Sequence, residues 1–176
     1  MILSVLGSVA LGVVAVFLVT ALTGAPYVPT RRHEVEEAFT VLRPLNADDV
    51  VVDIGSGDGV VLAAVARRGA KAIGYEINPL LVGMSQWRLR KYRDTASVRL
   101  RNFWLTPFPT HTSVVYTFGD SRDIAKMYTK VQREATRLNR SIDLISYAFE
   151  VPGVQATRTH RAYFLYTVAA LHQGKP

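Results

Sequence analysis

The sequence predicts an α/β domain, a doubly wound and mostly parallel sheet with an antiparallel edge pair, preceded by one N-terminal transmembrane helix. Three observations lead there. Short β-branched runs alternate with helix-length segments between Val50 and Leu138, and parallel strands need a crossover helix between them. The segment "VPGVQATRTHRAYFLYTV" then offers two extended pieces with no helix between, which suits an antiparallel pair at the sheet edge. Finally, Met1 to Val28 contain no charged side chain.

That apolar start has the length of a span. Roughly 20 helical residues rising about 1.5 Å each cross a hydrocarbon core of about 30 Å, and residues 2–22 would make that contact with membrane lipid. A cleaved signal would carry a basic residue before its apolar core; none is present, so the reading is a retained anchor over residues 1–24. "TGAPYVPT" follows, with two prolines and a glycine that stop a helix, giving a linker over 25–31. The first charges past the span are Arg31 and Arg32, and basic flanks stay on the cytoplasmic side. The expected placement is therefore single-pass, with the domain of residues 32–176 facing the cytoplasm.

A chain of 176 residues supports one ordinary domain. It has no cysteine, which removes disulfides, thiolate metal sites and a cysteine nucleophile. A net charge of +7 favours acidic partners. Arg88, Arg90, Lys91, Arg93, Arg99 and Arg101 concentrate that charge as an RNA face, an anionic-lipid face or a solvated face. Nucleic acid is set aside as a partner, because no RNA-binding module accompanies the cluster. No group of ligands supports a metal, and His33 and His111 stand alone as solvated bystanders.

In chain order, Thr30 can cap a helix whose Val35, Ala38, Phe39 and Leu42 recur at helical spacing, with Pro44 closing it. Val50–Ile54 is an apolar run broken only by Asp53, the pattern of a strand buried on both faces. Val60–Arg68 reads as a helix ended by Gly69. "KAIGYEIN" is a second strand, and "PLLVGMSQWRLRKYR" a helix opened by Pro79 with Trp87 in the core. "SVRLRNFW", "TSVVYTFG" and "SIDLISYAFE" supply three further strands. A helix from about Arg122 to Leu138 lies between the last two, with Ile124, Met127, Tyr128, Val131 and Ala135 on one face.

The first strand runs into Gly55, Ser56, Gly57, Asp58 and Gly59. In open α/β sheets the ligand sits at the carboxyl ends of the strands, and glycines there permit positive φ and close backbone approach. The spacing is G-x-G-x-G, not the G-x-G-x-x-G of dinucleotide sites, and no Gly-Lys-Ser/Thr follows as a phosphate loop requires. Asp53 and Asp58 add negative charge that opposes a pyrophosphate and favours a ligand with an ammonium and a sulfonium. Glu76, ending the second strand, can accept the ribose hydroxyls of an adenosine, a role that serves NAD and S-adenosyl-L-methionine alike.

"VVDIGSGDG" together with Glu76 resembles the class I, seven-strand S-adenosylmethionine-dependent methyltransferases. "APYVPT", "VVDIGSGDG" and "GYEINPLLV" resemble more closely the membrane-anchored mitochondrial protein-lysine N-methyltransferases of the ATP synthase c subunit and adenine nucleotide translocase type, and their prokaryotic relatives. The resemblance implies a Rossmann-like methyltransferase sheet and S-adenosyl-L-methionine as cofactor. It implies cofactor binding by Asp53, Gly55, Ser56, Gly57, Asp58, Gly59 and Glu76, with Ile77, Asn78, Asn102 and Phe103 near the adenine. "NFW" stands where the family tends to show Asp-Leu-Trp.

Tyr27, Pro29 and Thr30 fall on the cofactor or substrate side by the same resemblance, while Trp104 lies near the expected pocket and Asp120 and Asp123, just past the fourth strand, are candidates to orient an acceptor amine; "TFGDSRD" there departs from the more apolar family pattern. Asp120 and Asp123 are also readable as the capped start of the following helix. Methyl transfer needs alignment more than an attacking side chain, so no catalytic residue is assigned. The implied activity is protein-lysine N-methylation of a substrate at or near the membrane. Two alternatives stay open: methylation of a lipid or quinone, and a non-catalytic, cofactor-binding assembly factor.

Overall fold

The structure, a computed structural model, describes residues 4–8, 10–12, 14, 32–119 and 121–171. A seven-stranded sheet runs in the order β3-β2-β1-β4-β5-β7-β6. Its strands are β1 (Val50–Ile54), β2 (Lys71–Glu76), β3 (Ala96–Leu100), β4 (Val114–Thr117), β5 (Ile142–Tyr147), β6 (Arg158–His160) and β7 (Tyr163–Val168). The first five are parallel, while β7 runs antiparallel between β5 and β6. The expected doubly wound sheet with an antiparallel edge hairpin is present. Val50–Ile54 is buried at every position, as a β-branched strand covered on both faces should be.

Helices α1 (Arg32–Glu37), α2 (Val60–Ala66), α3 (Pro79–Arg88) and α4 (Ile124–Leu138) surround the sheet. One face buries Val51, Val114, Tyr116, Ile145 and Leu165 against α1 and α2. The other buries Val52, Ile54, Val115 and Leu144 against Ile124, Met127, Val131 and Ala135 of α4. Alternation along each strand sorts these sets. Gly69 ends the α2 segment at φ +79°, a left-handed value that suits glycine. Arg43 locks the lower end of the sheet: its guanidinium bonds Asp49 at 3.0 Å and Asp143 at 2.8 Å.

Several expectations need correction. Among the described residues no helix is long and apolar enough to cross a membrane. Within the apolar stretch, residues 4–8, 10–12 and 14 are helical, and the rest of residues 2–22 lie outside the described residues. The transmembrane helix, the lipid contact and the single-pass placement facing the cytoplasm are therefore not upheld. The first helix also widens where its pattern predicts a regular α-helix, becoming a π-helical segment over Ala38–Leu42. The third strand ends at Leu100, and Trp104 lies on a turn beyond it. Trp87 is 71% exposed instead of buried, with the Arg90 guanidinium 4.4 Å over its ring.

Candidate functional site

The turn leaving β1 is built from three glycines with positive φ, Gly55 at +75°, Gly57 at +52° and Gly59 at +80°. Side chains with a Cβ seldom adopt these values. The Tyr75 carbonyl on β2 accepts from Gly55 N at 2.9 Å and Ser56 N at 3.1 Å, which folds the loop over its neighbouring strand. Gly59 and one further glycine, Gly74 on β2, permit the close approach. A Cβ on Gly74 would collide with the Ser56 and Leu62 side chains, and one on Gly59 would collide with Ser85 of α3. Neither Gly74 nor Ser85 stands out in the sequence, because the motif lies in the loop and its seat lies elsewhere.

Glu76 closes the same loop from the tip of β2. Its Oε2 accepts from Gly57 N at 2.8 Å, and its Oε1 accepts from Ile77 N and Asn78 N, both at 2.8 Å. A carboxylate offers about four acceptor positions. Three are occupied by backbone, leaving room for about one ribose hydroxyl instead of the pair that the sequence suggests. Asn78 is 1% exposed, and its Oδ1 caps α3 by accepting from Leu80 N at 2.9 Å. The side chain of Ile77 is exposed.

Asp53 is the odd member. It is 2% exposed, and its Oδ2 has no hydrogen-bond partner among the described residues. Burial pushes its carboxyl well above the ordinary carboxylate range, and the charges of Glu76 and Asp58 push it further. Asp58 itself is already answered. Arg88 holds its carboxylate through one guanidinium nitrogen and its backbone carbonyl through Nε at 2.8 Å. The Asp58 charge expected to face the ligand is therefore largely engaged by α3. Arg88, which the sequence places in a basic cluster, is a loop clasp; thirty residues separate the partners, and no local pattern announces the pair.

Asn102, Phe103 and Trp104 leave the sheet beside the tip of β2, where Arg101 N donates to the Glu76 carbonyl at 2.9 Å. Asn102 Oδ1 accepts from Trp104 N at 3.0 Å. The Phe103 and Trp104 rings stand 4.4 Å apart, with Phe103 packed on the α4-side core and Trp104 exposed. Asp123 opens α4 without a side-chain cap and pairs with Lys126 at 3.1 Å. Tyr27, Pro29, Thr30 and Asp120 lie outside the described residues.

The donor set suits a cationic, adenosine-bearing ligand such as S-adenosyl-L-methionine. Glycines without a Cβ let a ligand approach the turn closely, a buried carboxylate oxygen awaits a donor, and a second carboxylate keeps one acceptor position for a sugar. Two of the three acids have no cationic partner among the described residues, which opposes a diphosphate. Among the described residues there is also no group of three or more potential metal ligands.

Both the fold and the sequence have known counterparts. The Salinibacter ruber RNA methyltransferase solved with S-adenosyl-L-homocysteine superposes with a TM-score of 0.70 at 20% identity, covering 84% of this chain and 98% of that one; the likeness is one of fold. The Xenopus laevis lysine N-methyltransferase of the ATP synthase c subunit is 34% identical over 131 residues, 72% of this chain and 54% of the relative. Its Homo sapiens counterpart is 33% identical over 111 residues, 62% of this chain and 46% of the relative. The chain spans about half the length of these curated relatives. The family described as the ANTKMT methyltransferase domain matches residues 53–158, from the unpartnered acid of β1 to the start of the edge hairpin, and the chain belongs to that family.

Proposed function

We propose that this chain is an S-adenosyl-L-methionine-dependent methyltransferase acting on a protein lysine. The observation that carries it is the buried, unpartnered Asp53 carboxylate set beside Glu76 at the tips of adjacent strands. Asp53 would receive the ammonium of the methionine part and Glu76 one ribose hydroxyl, and the turn of Gly55, Gly57 and Gly59, without Cβ atoms, would let the ligand lie close to the backbone. Ile77, Asn102 and Phe103 would border the adenine. Bound there, the cofactor supplies an electrophilic methyl group on a sulfonium. The chain supplies alignment and a dry cleft; holding nucleophile and methyl in line removes several kcal/mol, up to about 7–11, of barrier.

Lysine is the acceptor class because the relatives in this family carry that activity in their names. Residues 32–176 would form the working domain and 25–31 the segment leading into it. Tyr27, Pro29, Thr30, Trp104 and Asp120 are assigned to the acceptor side. The test incubates the full chain with methyl-tritiated cofactor and purified ATP synthase c subunit, then separates protein from lipid and hydrolyses the protein. Label recovered as methyl-lysine supports the proposal. Label confined to lipid, or cofactor binding without any transfer, refutes it.

A further inference from the structure

The face of the sheet that carries Asp53 also carries a run of aromatic side chains. Register sets Asp53 beside Tyr116 of β4, and Tyr147 of β5 beside Tyr163 of β7. Phe118, two residues past Tyr116, falls on the same face. The rings are contiguous: Phe39–Tyr116 at 5.9 Å, Tyr116–Tyr163 at 6.3 Å, Tyr163–Tyr147 at 4.8 Å and Tyr147–Phe118 at 4.9 Å. All four strand positions lie toward the carboxyl ends of the parallel strands, where the glycine loop also sits.

The run is dry at one end and open at the other. Tyr116 and Tyr163 are each 1% exposed, and their hydroxyls have at most each other as hydrogen-bond partners among the described residues. Phe118 and Tyr147 are half-buried, and the Tyr147 hydroxyl donates to Glu34 of α1 at 2.8 Å. A core needs rings here, but it gains little from two phenol oxygens that have no partner beyond each other, since phenylalanine would fill the space without the desolvation penalty. Burial pushes both inner phenols far above their usual range. They stay protonated, so they can donate or accept a hydrogen bond but cannot serve as bases.

We propose that Phe118 and Tyr147 wall the entry by which the acceptor lysine reaches the methyl donor, and that the Tyr116 and Tyr163 hydroxyls position its ε-amine. This rests on the lysine reading given above. At the mouth, aromatic faces attract an ammonium and cover its aliphatic stem. Further in, loss of water favours the neutral amine. That amine has two N–H donors and one lone pair; each phenol oxygen keeps acceptor capacity even where the two hydroxyls bond each other, so the pair can take the two donors and leave the lone pair directed at the methyl carbon. The lone pair forms the C–N bond as the C–S bond breaks, the C–S electrons stay on sulfur, and the methylammonium proton leaves to water. A monomethylated amine keeps only one N–H, so the hydroxyls also bear on how many methyl groups are added.

The test uses the full chain, S-adenosylmethionine and purified ATP synthase c subunit, with methylation states read by mass spectrometry. Tyr116→Phe and Tyr163→Phe each keep the ring and remove one oxygen with no partner beyond the other tyrosine, so both should fold with thermal midpoints close to wild type. Expected are unchanged affinity for S-adenosylhomocysteine, a kcat lower by about 10- to 100-fold, and an altered ratio of mono-, di- and trimethyl-lysine. Phe118→Ala should raise KM more than it lowers kcat. Methyl-lysine formed by the wild type, with the two phenylalanine variants matching it in kcat, KM and methylation state, overturns the tyrosine assignment alone. No methyl-lysine from the wild type overturns the lysine reading, and this assignment with it.

Discussion

Replacing Asp53 by asparagine should stabilise the ligand-free protein while weakening cofactor binding. In the folded chain the carboxyl is buried, one oxygen has no partner among the described residues, and two neighbouring acids disfavour its ionisation. An unsatisfied buried polar group costs about 1–3 kcal/mol, and more when charged. Removing the charge should recover about that much, and at about 2–4 °C per kcal/mol for a domain this size the midpoint should rise by about 2–12 °C. The pH dependence has a definite sign. Because the folded carboxyl titrates above its unfolded value, its favourable contribution is complete below the unfolded pKa and is lost as pH rises through the folded one. The advantage of Asp53→Asn should therefore grow from pH 4 to pH 8. With cofactor the order of effects reverses: a hydrogen bond to a charged group contributes about 1.5–3 kcal/mol, so affinity should fall by about 10- to 150-fold. At ligand about 1,000-fold above the wild-type Kd, the wild type gains about 4.1 kcal/mol, whereas a variant bound about 100-fold more weakly gains about 1.4. Scanning calorimetry with and without S-adenosylhomocysteine, beside isothermal titration, measures both halves. A variant less stable than wild type when ligand-free, with unchanged affinity, would refute the electrostatic reasoning.

Three other substitutions probe the supports of the site. Gly74→Ala forces a Cβ into Ser56 and Leu62 and should cost about 1–3 kcal/mol by overpacking; Ser56→Gly in the same chain should restore much of it in urea unfolding. Arg88→Met releases Asp58 and should cost about 1–2 kcal/mol, with faster amide exchange confined to Gly57–Val60. Glu134→Gln acts at a distance from the cleft. Its buried carboxylate accepts from Phe108 N at 3.1 Å, Lys130 Nζ at 2.8 Å and Arg137 Nε at 2.8 Å. Burial alone would raise that carboxyl, but the hydrogen bonds outweigh it and hold it below its usual range. Its contribution is thus present above the unfolded carboxylate pKa and lost as pH falls through the folded one. The variant should be less stable by about 1–3 kcal/mol at pH 7, and the gap should close in acid.

The elements legible in the sequence were those specified locally. Val50–Ile54 could only be a doubly buried strand, and the glycines after it could only serve a tight turn; the structure gives both. The edge hairpin followed from two extended runs with no helix between. What escaped was set by distant partners or by solvent. Leu80, Met84 and Trp87 are apolar residues of α3, yet they are exposed, because helical spacing defines a stripe without saying which stripe faces the sheet. Ser85, a small polar residue, is fully buried instead, since Gly59 lets the loop rest on it. The anchor was inferred from apolar content and length alone, and among the described residues no helix is long and apolar enough to cross a membrane.

The two acids at the strand tips divide their work, and the division bears on how the site binds. Glu76 spends most of its capacity on three backbone amides, so the loop is held in place before any ligand arrives and little ordering entropy remains to be lost on binding. Its net gain from a sugar hydroxyl is correspondingly small. Asp53 makes the opposite choice, leaving an oxygen buried and unanswered, a cost in the free protein that a cationic donor can recover in full. Cofactor affinity should therefore be concentrated at Asp53 and loop geometry at Glu76. Glu76→Gln should accordingly loosen the Gly57 amide in hydrogen exchange, while Asp53→Asn should leave that amide protected and still lose the greater share of affinity. If Glu76→Gln were the more damaging to affinity with Gly57 still protected, the ribose contact would outweigh the ammonium contact and this division would be wrong.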